Sequence, residues 1–292
     1  MFEPDAAGRR RPESLYGAVK IWAWLARQDI TVARCTIERL MRANGWRGRS
    51  RGRRKVVTTV PDHAHPRHPD LVNRNFRPGR PGQLLVADFT YVPLLTGGFV
   101  YTAFVIDAFA GTICGWECSA SKSAAFVLRA IAQAAAHLRA SSGGLAAGPV
   151  LHHSDAGSQY TSLRCAESLE LAGMTGSVGS VGDAYDNALA ETIIGLYKSE
   201  CTDGDSPFRD SPLASTGAVE KITAAWVHWY NNERLIHRLG LRPPAEVDAA
   251  WWDRQRKRQA RLINGLKALL AQRTTPRPGT GPCAGRGCAA WL

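Results

Sequence analysis

Three carboxylates stand where a carboxylate is costly. Asp88 interrupts the apolar run LLVADFTYV, Asp155 closes the run GPVLHHSD, and Glu191 lies in DNALAETIIGLYKSE. A lone aspartate inside an apolar strand is expensive unless it is paired, hydrogen-bonded or bound to metal. Asp155 also has a plain reading, since an aspartate after a strand often caps a turn or the next helix. That reading gives way if Asp155 meets the other two acids. Brought together, three carboxylates repel one another, and Mg²⁺ or Mn²⁺ satisfies them as a hard cation among oxygen ligands. A cation so held polarises a phosphate and activates a hydroxyl or water for in-line attack. Asn187 lies four residues before Glu191 and Lys198 seven after. On a helix these three share a face, so an amide, a carboxylate and a cation point one way.

The elements that must position these groups follow from the pattern around them. From Gln83, the runs LLVADFTYVPLL, FVYTAFVIDAFAG and TICGWECSA read as three consecutive strands divided by glycine pairs or short turns. SAAFVLRAIAQAAAHLRA is a helix that SSGG ends, GPVLHHSD a further strand, and LRCAESLELAGM a helix. TGSVGSV is a short strand or loop, and DAYDNALAETIIGLYKSE, VEKITAAWVHWYNNE and ARLINGLKALLAQ are helices. Three strands followed by alternating helices and strands predict an α/β fold, a mixed sheet covered by helices.

Upstream, SLYGAVKIWAWLARQ carries apolar residues at helical spacing, with Val19, Trp22 and Leu25 inward. TVARCTIERLMRANG predicts a second helix, with Thr31 as N-cap, Ile37, Leu40 and Met41 inward, and Asn44-Gly45 as its stop. Two short helices and a tight turn suggest a helix-turn-helix. The basic run WRGRSRGRRKVVTT follows and cannot build a core; it reads as an arm on a phosphate backbone or as a solvated linker. Candidate phosphate contacts are Arg39 and Arg42 on the second helix and Arg53, Arg54 and Lys55 in the arm. The Pro-rich stretch PDHAHPRHPDLVNRNFRPGRPGQ reads as a linker. Its His63, His65 and His68 have no cysteine beside them, and the prolines deny them a regular element. The expected layout is a helix-turn-helix region with its arm over 1–60, a linker over 61–82, the α/β core over 83–250, and a basic helix with a disordered tail over 251–292.

Charge follows the same division. Residues 1–60 hold 14 Lys/Arg against 5 Asp/Glu, residues 81–250 hold 10 against 17, and residues 251–292 hold 9 against 1. Basic arms bind polyanions, of which DNA is the usual one. An acidic middle between them is odd for a DNA-binding chain, unless a bound divalent cation resolves the conflict. The seven cysteines are scattered, with no second pair at zinc spacing near Cys114 and Cys118, so reduced thiols in a cytoplasmic protein are expected. No apolar run reaches the ~18 residues of a membrane span, and the N-terminus lacks the apolar core of a secretory signal.

LLVADFTYV, HHSDAGSQYTS and SVGDAYDNALAETIIGLYKSE together resemble the D-D-E catalytic core of insertion-sequence transposases and retroviral-type integrases, with 35 residues between Asp155 and Glu191. WVHWYNNERLIHRLGLRPPAEV is similar to that family's C-terminal signature, with Tyr230, Asn231, Arg234, His237, Leu239, Gly240 and Pro243 matching in order. YGAVKIW and VARCTIERLMRANGWRG resemble the helix-turn-helix of the second-frame product of two-frame insertion sequences. Ala156 and Leu85 depart from the pattern, which usually has arginine and tryptophan there. The resemblance implies an RNase H-like fold, a five-stranded mixed sheet flanked by helices, and cleavage and strand transfer at the ends of an insertion sequence. It implies Asp88, Asp155 and Glu191 as ligands of two Mg²⁺ (or Mn²⁺) ions, with Lys198, Asn187 and Arg234 toward double-stranded DNA. It also implies a homo-oligomer bridging two DNA ends, a companion first-frame protein, and a bacterial, nucleoid-associated location. Two other readings compete: a helix-turn-helix regulator whose core has lost catalysis, and a nuclease or resolvase of the same fold, which would not require the C-terminal signature.

Overall fold

The computed structural model describes residues 1–6, 8–50, 70–72, 76–143, 145, 148–155, 163–178 and 188–274. The predicted sheet is present. Its strands are β1 (Leu84–Pro93), β2 (Phe99–Asp107), β3 (Ile113–Ser119), β4 (Val150–Ser154) and β5 (Met174–Val178), in the order β3-β2-β1-β4-β5. The first three strands are antiparallel neighbours; β4 and β5 run parallel to β1. This is the RNase H-like arrangement. The β1–β2 hairpin turns through Gly97 and Gly98, at φ +87° and +80°, which glycine adopts at little cost. The crossover to β4 is α3 (Ala124–Ser142), whose last turn ends at Gly143 in the left-handed region.

Strand alternation sorts the core into two layers. Val86, Val92, Val100, Phe104 and Ile106 face α5 (Ala188–Leu196), the segment that follows it and α6 (Thr216–Asn232), where Ile193, Tyr197 and Trp226 in turn are buried. The Phe104, Tyr197 and Trp226 rings meet edge to face, with centroids 5.0 and 5.3 Å apart for the Phe104–Tyr197 and Tyr197–Trp226 pairs. Each such pair adds about 1 kcal/mol beyond its buried area. Leu85, Ala87, Ala103 and Val105 face α3 through Phe126, Ala130, Ile131 and Ala134. A side chain at Gly115 would collide with the Ala130 carbonyl, so β3 lies directly against the α3 backbone. The α4 helix (Leu163–Leu171) follows β4, and α7 is Pro244–Thr274.

The N-terminal helices are shorter than the sequence suggests. A 3-10 turn, Pro12–Leu15, precedes α1 (Ala18–Ala26), so the stretch from Ser14 is not one helix. Ile21 is the buried residue of α1 and Trp22 is 41% exposed, correcting its inward placement. The second helix, α2, begins at Arg34 after Ala33, which offers no side-chain cap, so Thr31 does not cap it. Ile37 and Met41 are buried as expected, whereas Leu40 is 43% exposed. Gly45 ends the helix at φ +67°.

These helices join the core in one compact unit, Met1–Trp252. The Tyr16 hydroxyl accepts a hydrogen bond from the Leu235 amide at 2.9 Å, and Arg49 pairs with Asp203 at 2.8 Å. Residues from Asp253 form a second unit. Residues 46–50 of the expected basic arm are described, and Arg49 there is paired with Asp203 rather than free for phosphate; the rest of the arm, 51–59, and the tail beyond 274 lie outside the described residues. No helix among the described residues is long and apolar enough to cross a membrane.

Candidate active site

The register of β4 against β1 sets up the site. Their parallel pairing ends with Ala87 opposite Ser154. The next residue on each strand is an aspartate, so Asp88 and Asp155 leave the ladder side by side. From Asp88 onward no strand among the described residues pairs with the edge of β1 that β4 had covered. Asp88 shares the face of Val86, Thr90 and Val92, beneath α5. Ala190, Ile193 and Ile194 bury the inner side of α5 and leave Glu191 exposed in its first turn.

Electrostatics ties these groups together. The Asp88 carboxyl is pushed up to about 8, first by burial, then by the negative charge of Asp155. The Phe89 amide, which donates to its Oδ1 at 2.7 Å, works against that rise. Glu191 pushes it further up, and the Lys198 ammonium pulls it back. Three charged groups therefore act on one carboxyl. Among the described residues no group of three acids, histidines or cysteines is placed to hold a metal ion. Asp155 and Glu191 both raise the cost of ionising Asp88, and carboxylate oxygens are the donors that a hard divalent cation takes.

The helix carrying Glu191 changes character after Leu196. Tyr197–Thr202 is a π-helical segment, so Glu191 and Lys198 are not on one continuous α-helix as expected. Such segments are rare and often mark functional sites. Lys198 is exposed at its start, with Nζ 5.4 Å from the centre of the Tyr91 ring.

Arg234 is a correction. The sequence placed it toward DNA, but it is buried, with Nε and Nη2 donating to Glu200 at 2.8 and 2.5 Å. The Trp226 indole donates to the same carboxylate at 3.4 Å. A guanidinium so committed cannot reach a phosphate. Other residues of the C-terminal signature also hold the fold. Asn231 accepts from the Ile113 amide and donates to the Ile113 carbonyl, both at 2.9 Å, and so fastens the start of β3. Tyr230 is buried, and Gly240 takes φ +68°. Arg39 and Arg42 are exposed on the outer side of α2. Arg53, Arg54, Lys55 and Asn187 lie outside the described residues. Sequence reasoning missed Glu200, although a buried arginine demands an acid, and missed Tyr91, an aromatic three residues beyond Asp88.

Comparison with known proteins agrees with this architecture. Residues 78–184 match an integrase core domain model, residues 172–244 a second integrase core domain model, and residues 9–54 an HTH-like domain model. The chain is 48% identical over 246 residues to the protein named for insertion sequence element IS986/IS6110 of Mycobacterium tuberculosis, covering 84% of this chain and 85% of that one. It is 48% identical over 238 residues to the transposase for insertion sequence element IS629 of Shigella sonnei, covering 82% of this chain and 75% of that one. A solved chain from a simian T-cell lymphotropic virus intasome aligns at TM-score 0.49 and 13% identity, over 80% of this chain and 74% of that one.

Proposed function

We propose, from the premise that this chain belongs to the insertion-sequence transposases with an integrase core domain, that Asp88, Asp155 and Glu191 are its catalytic acids. The family's activity is polynucleotidyl transfer. The reading assigns the three carboxylates to two Mg²⁺ or Mn²⁺ ions, which would polarise the scissile phosphate and activate the attacking hydroxyl. What supports it is the register that ends the β1–β4 pairing just before two adjacent aspartates, with the charges of Asp155, Glu191 and Lys198 all felt by Asp88.

Each residue then has a task. Asp88 would be one of the carboxylates that hold a cation, in its ionised form. Asp155, which follows the last paired residue of β4, would supply the second carboxylate beside it. Glu191 closes the site from the helix above. Lys198 holds a terminal phosphate of double-stranded DNA at the edge of β1 beyond Asp88. A 3′-hydroxyl attacks phosphorus in line, one P–O bond forms and another breaks, and the leaving oxygen takes up a proton. The helix-turn-helix grips the ends of the insertion sequence through α2. A homo-oligomer bridging two ends and a companion first-frame protein complete the assembly.

The test is a mixing assay with labelled insertion-sequence ends, a target plasmid and Mg²⁺. Strand-transfer products are expected from the parent. Asp155→Asn should abolish them while binding of the ends persists, because only a carboxylate charge is removed. Cleavage without transfer would favour a nuclease, and binding alone a regulator. Parental transfer by Asp155→Asn would sink the assignment.

A further inference from the structure

The edge of β1 beyond Asp88 carries a second feature that the catalytic acids do not use. Phe89 and Tyr91 alternate with Asp88 and Thr90, so they sit on the other face of the strand. Tyr91 is 37% exposed and Phe99, on the neighbouring strand, is 49% exposed. Their rings meet edge to face with centroids 5.1 Å apart. Deeper in, Phe89 is braced edge to face by Phe126 at 5.8 Å.

Two lysines from different parts of the chain stand over this aromatic ladder. Lys198 Nζ lies 5.4 Å from the Tyr91 ring and Lys122 Nζ lies 5.2 Å from the Phe89 ring. Both lysines are exposed. A folding role explains exposed aromatics poorly, since rings that serve the core are covered by it. A cation over a ring is worth about what one water-exposed contact is worth, and an ammonium leaves it readily for a phosphate. Lys198 belongs to both neighbourhoods, because its charge also acts on Asp88. The shelf and the acids are thus joined around one strand edge.

We infer that Phe89, Tyr91 and Phe99 form a stacking shelf for unpaired nucleotides of the DNA strand next to the scissile phosphate, with Lys122 and Lys198 on its backbone. This rests on the proposed transposase site and adds its substrate form, an end whose terminal pairs are opened. The physical need is clear. In-line attack requires a phosphate to enter a site at a strand edge, and a stacked duplex end resists that distortion. Rings that take up the freed bases offset the unstacking, and every base has a face to offer, so the shelf is indifferent to sequence. The two lysines match the strand's charge, whereas a protein partner would find cations standing on the rings it had to cover.

The experiment uses the full chain and a Tyr91→Ala/Phe99→Ala variant. A fluorescein-labelled oligothymidine is titrated by anisotropy, and Mg²⁺-dependent processing is timed on paired ends and on ends with mismatched terminal pairs. Both residues are exposed, so the melting temperature should match the parent's. Oligothymidine affinity should fall about tenfold. Processing of paired ends should slow by a similar factor, and mismatched ends should rescue the variant more than they speed the parent. Tyr91→Phe, which keeps the ring, should behave as the parent. Unchanged oligothymidine affinity would overturn the shelf, as would Tyr91→Phe losing as much as the double variant. If the parent processes no ends but oligothymidine binding still depends on the rings, the transposase site fails and the shelf stands.

Discussion

Replacing Arg234 with Ala should unfold the protein at markedly lower denaturant and leave any DNA effect secondary. The Arg234 and Glu200 side chains are 6% and 7% exposed. Two short hydrogen bonds join them, and beyond these only the Trp226 indole reaches the carboxylate among the described residues. Burial works against the guanidinium charge, but the Glu200 carboxylate outweighs it and holds Arg234 above its ordinary value. Truncating the arginine leaves a carboxylate in the core with one weak donor. Removing one partner of a buried ion pair costs about 3–5 kcal/mol. For a unit of this size that corresponds to a melting point lower by about 6–20 °C. Replacing both partners with apolar residues, Arg234→Met with Glu200→Leu, removes the uncompensated charge and should recover most of the loss. Urea titration followed by tryptophan fluorescence reads all three variants, since Trp226 and Trp229 adjoin the pair. A loss below about 1 kcal/mol in Arg234→Ala, or a double variant no better than the single, would refute the reasoning. Weaker binding of DNA ends at unchanged stability would restore the DNA-contact reading.

Asp248 gives a pH signature. Burial, then the charge of Asp107, pushes its carboxyl up to about 7, against a hydrogen bond from Thr112. A folded value above the unfolded one favours the protonated group, so its stability contribution is full below about pH 4 and lost as pH rises through about 7. Asp248→Asn should therefore flatten the fall in urea midpoint between about pH 5 and pH 8, and an unchanged slope would show the group is not buried as described. Arg39→Ala with Arg42→Ala should lower the salt slope of DNA-end binding by about 2 if both touch phosphates, and should leave it alone if they do not. Lys198→Glu should slow end processing with little change in melting temperature, because the site is exposed; a parental rate would place the DNA elsewhere.

The sheet was legible, and the acids proposed for the site stand out, because the signals involved are local. Asp88 and Asp155 each break an apolar run, and alternation fixes which way a strand residue faces. Gly115 was readable in kind, since a glycine inside a strand often marks close backbone approach, though its partner, the α3 backbone, was not. The π-helical segment at Tyr197–Thr202 was not readable. It inserts its extra backbone within a sequence whose apolar spacing still passes for an α-helix. Trp22 was misplaced because periodicity names a stripe but not which part of the stripe a neighbour covers.

Arg234 shows where motif reasoning and physics part. In sequence, an arginine in a signature beside an acidic core reads as a phosphate ligand, because DNA is the polyanion expected nearby. Its true partner, Glu200, lies 34 residues away, on a segment whose role looked fixed by Lys198. Nothing local distinguishes an arginine that meets solvent from one that meets a carboxylate across a loop. The fold decides it by burial. Once Trp226, Trp229 and Tyr230 close around the guanidinium, an unpaired charge there would be untenable, and the chain must supply an acid. That acid sits two residues after Lys198, on the same π-helical turn. The buried pair thus anchors, from below, the segment that presents Lys198 to the edge of β1 beyond Asp88. An arginine expected to hold DNA itself instead steadies the lysine proposed to do so.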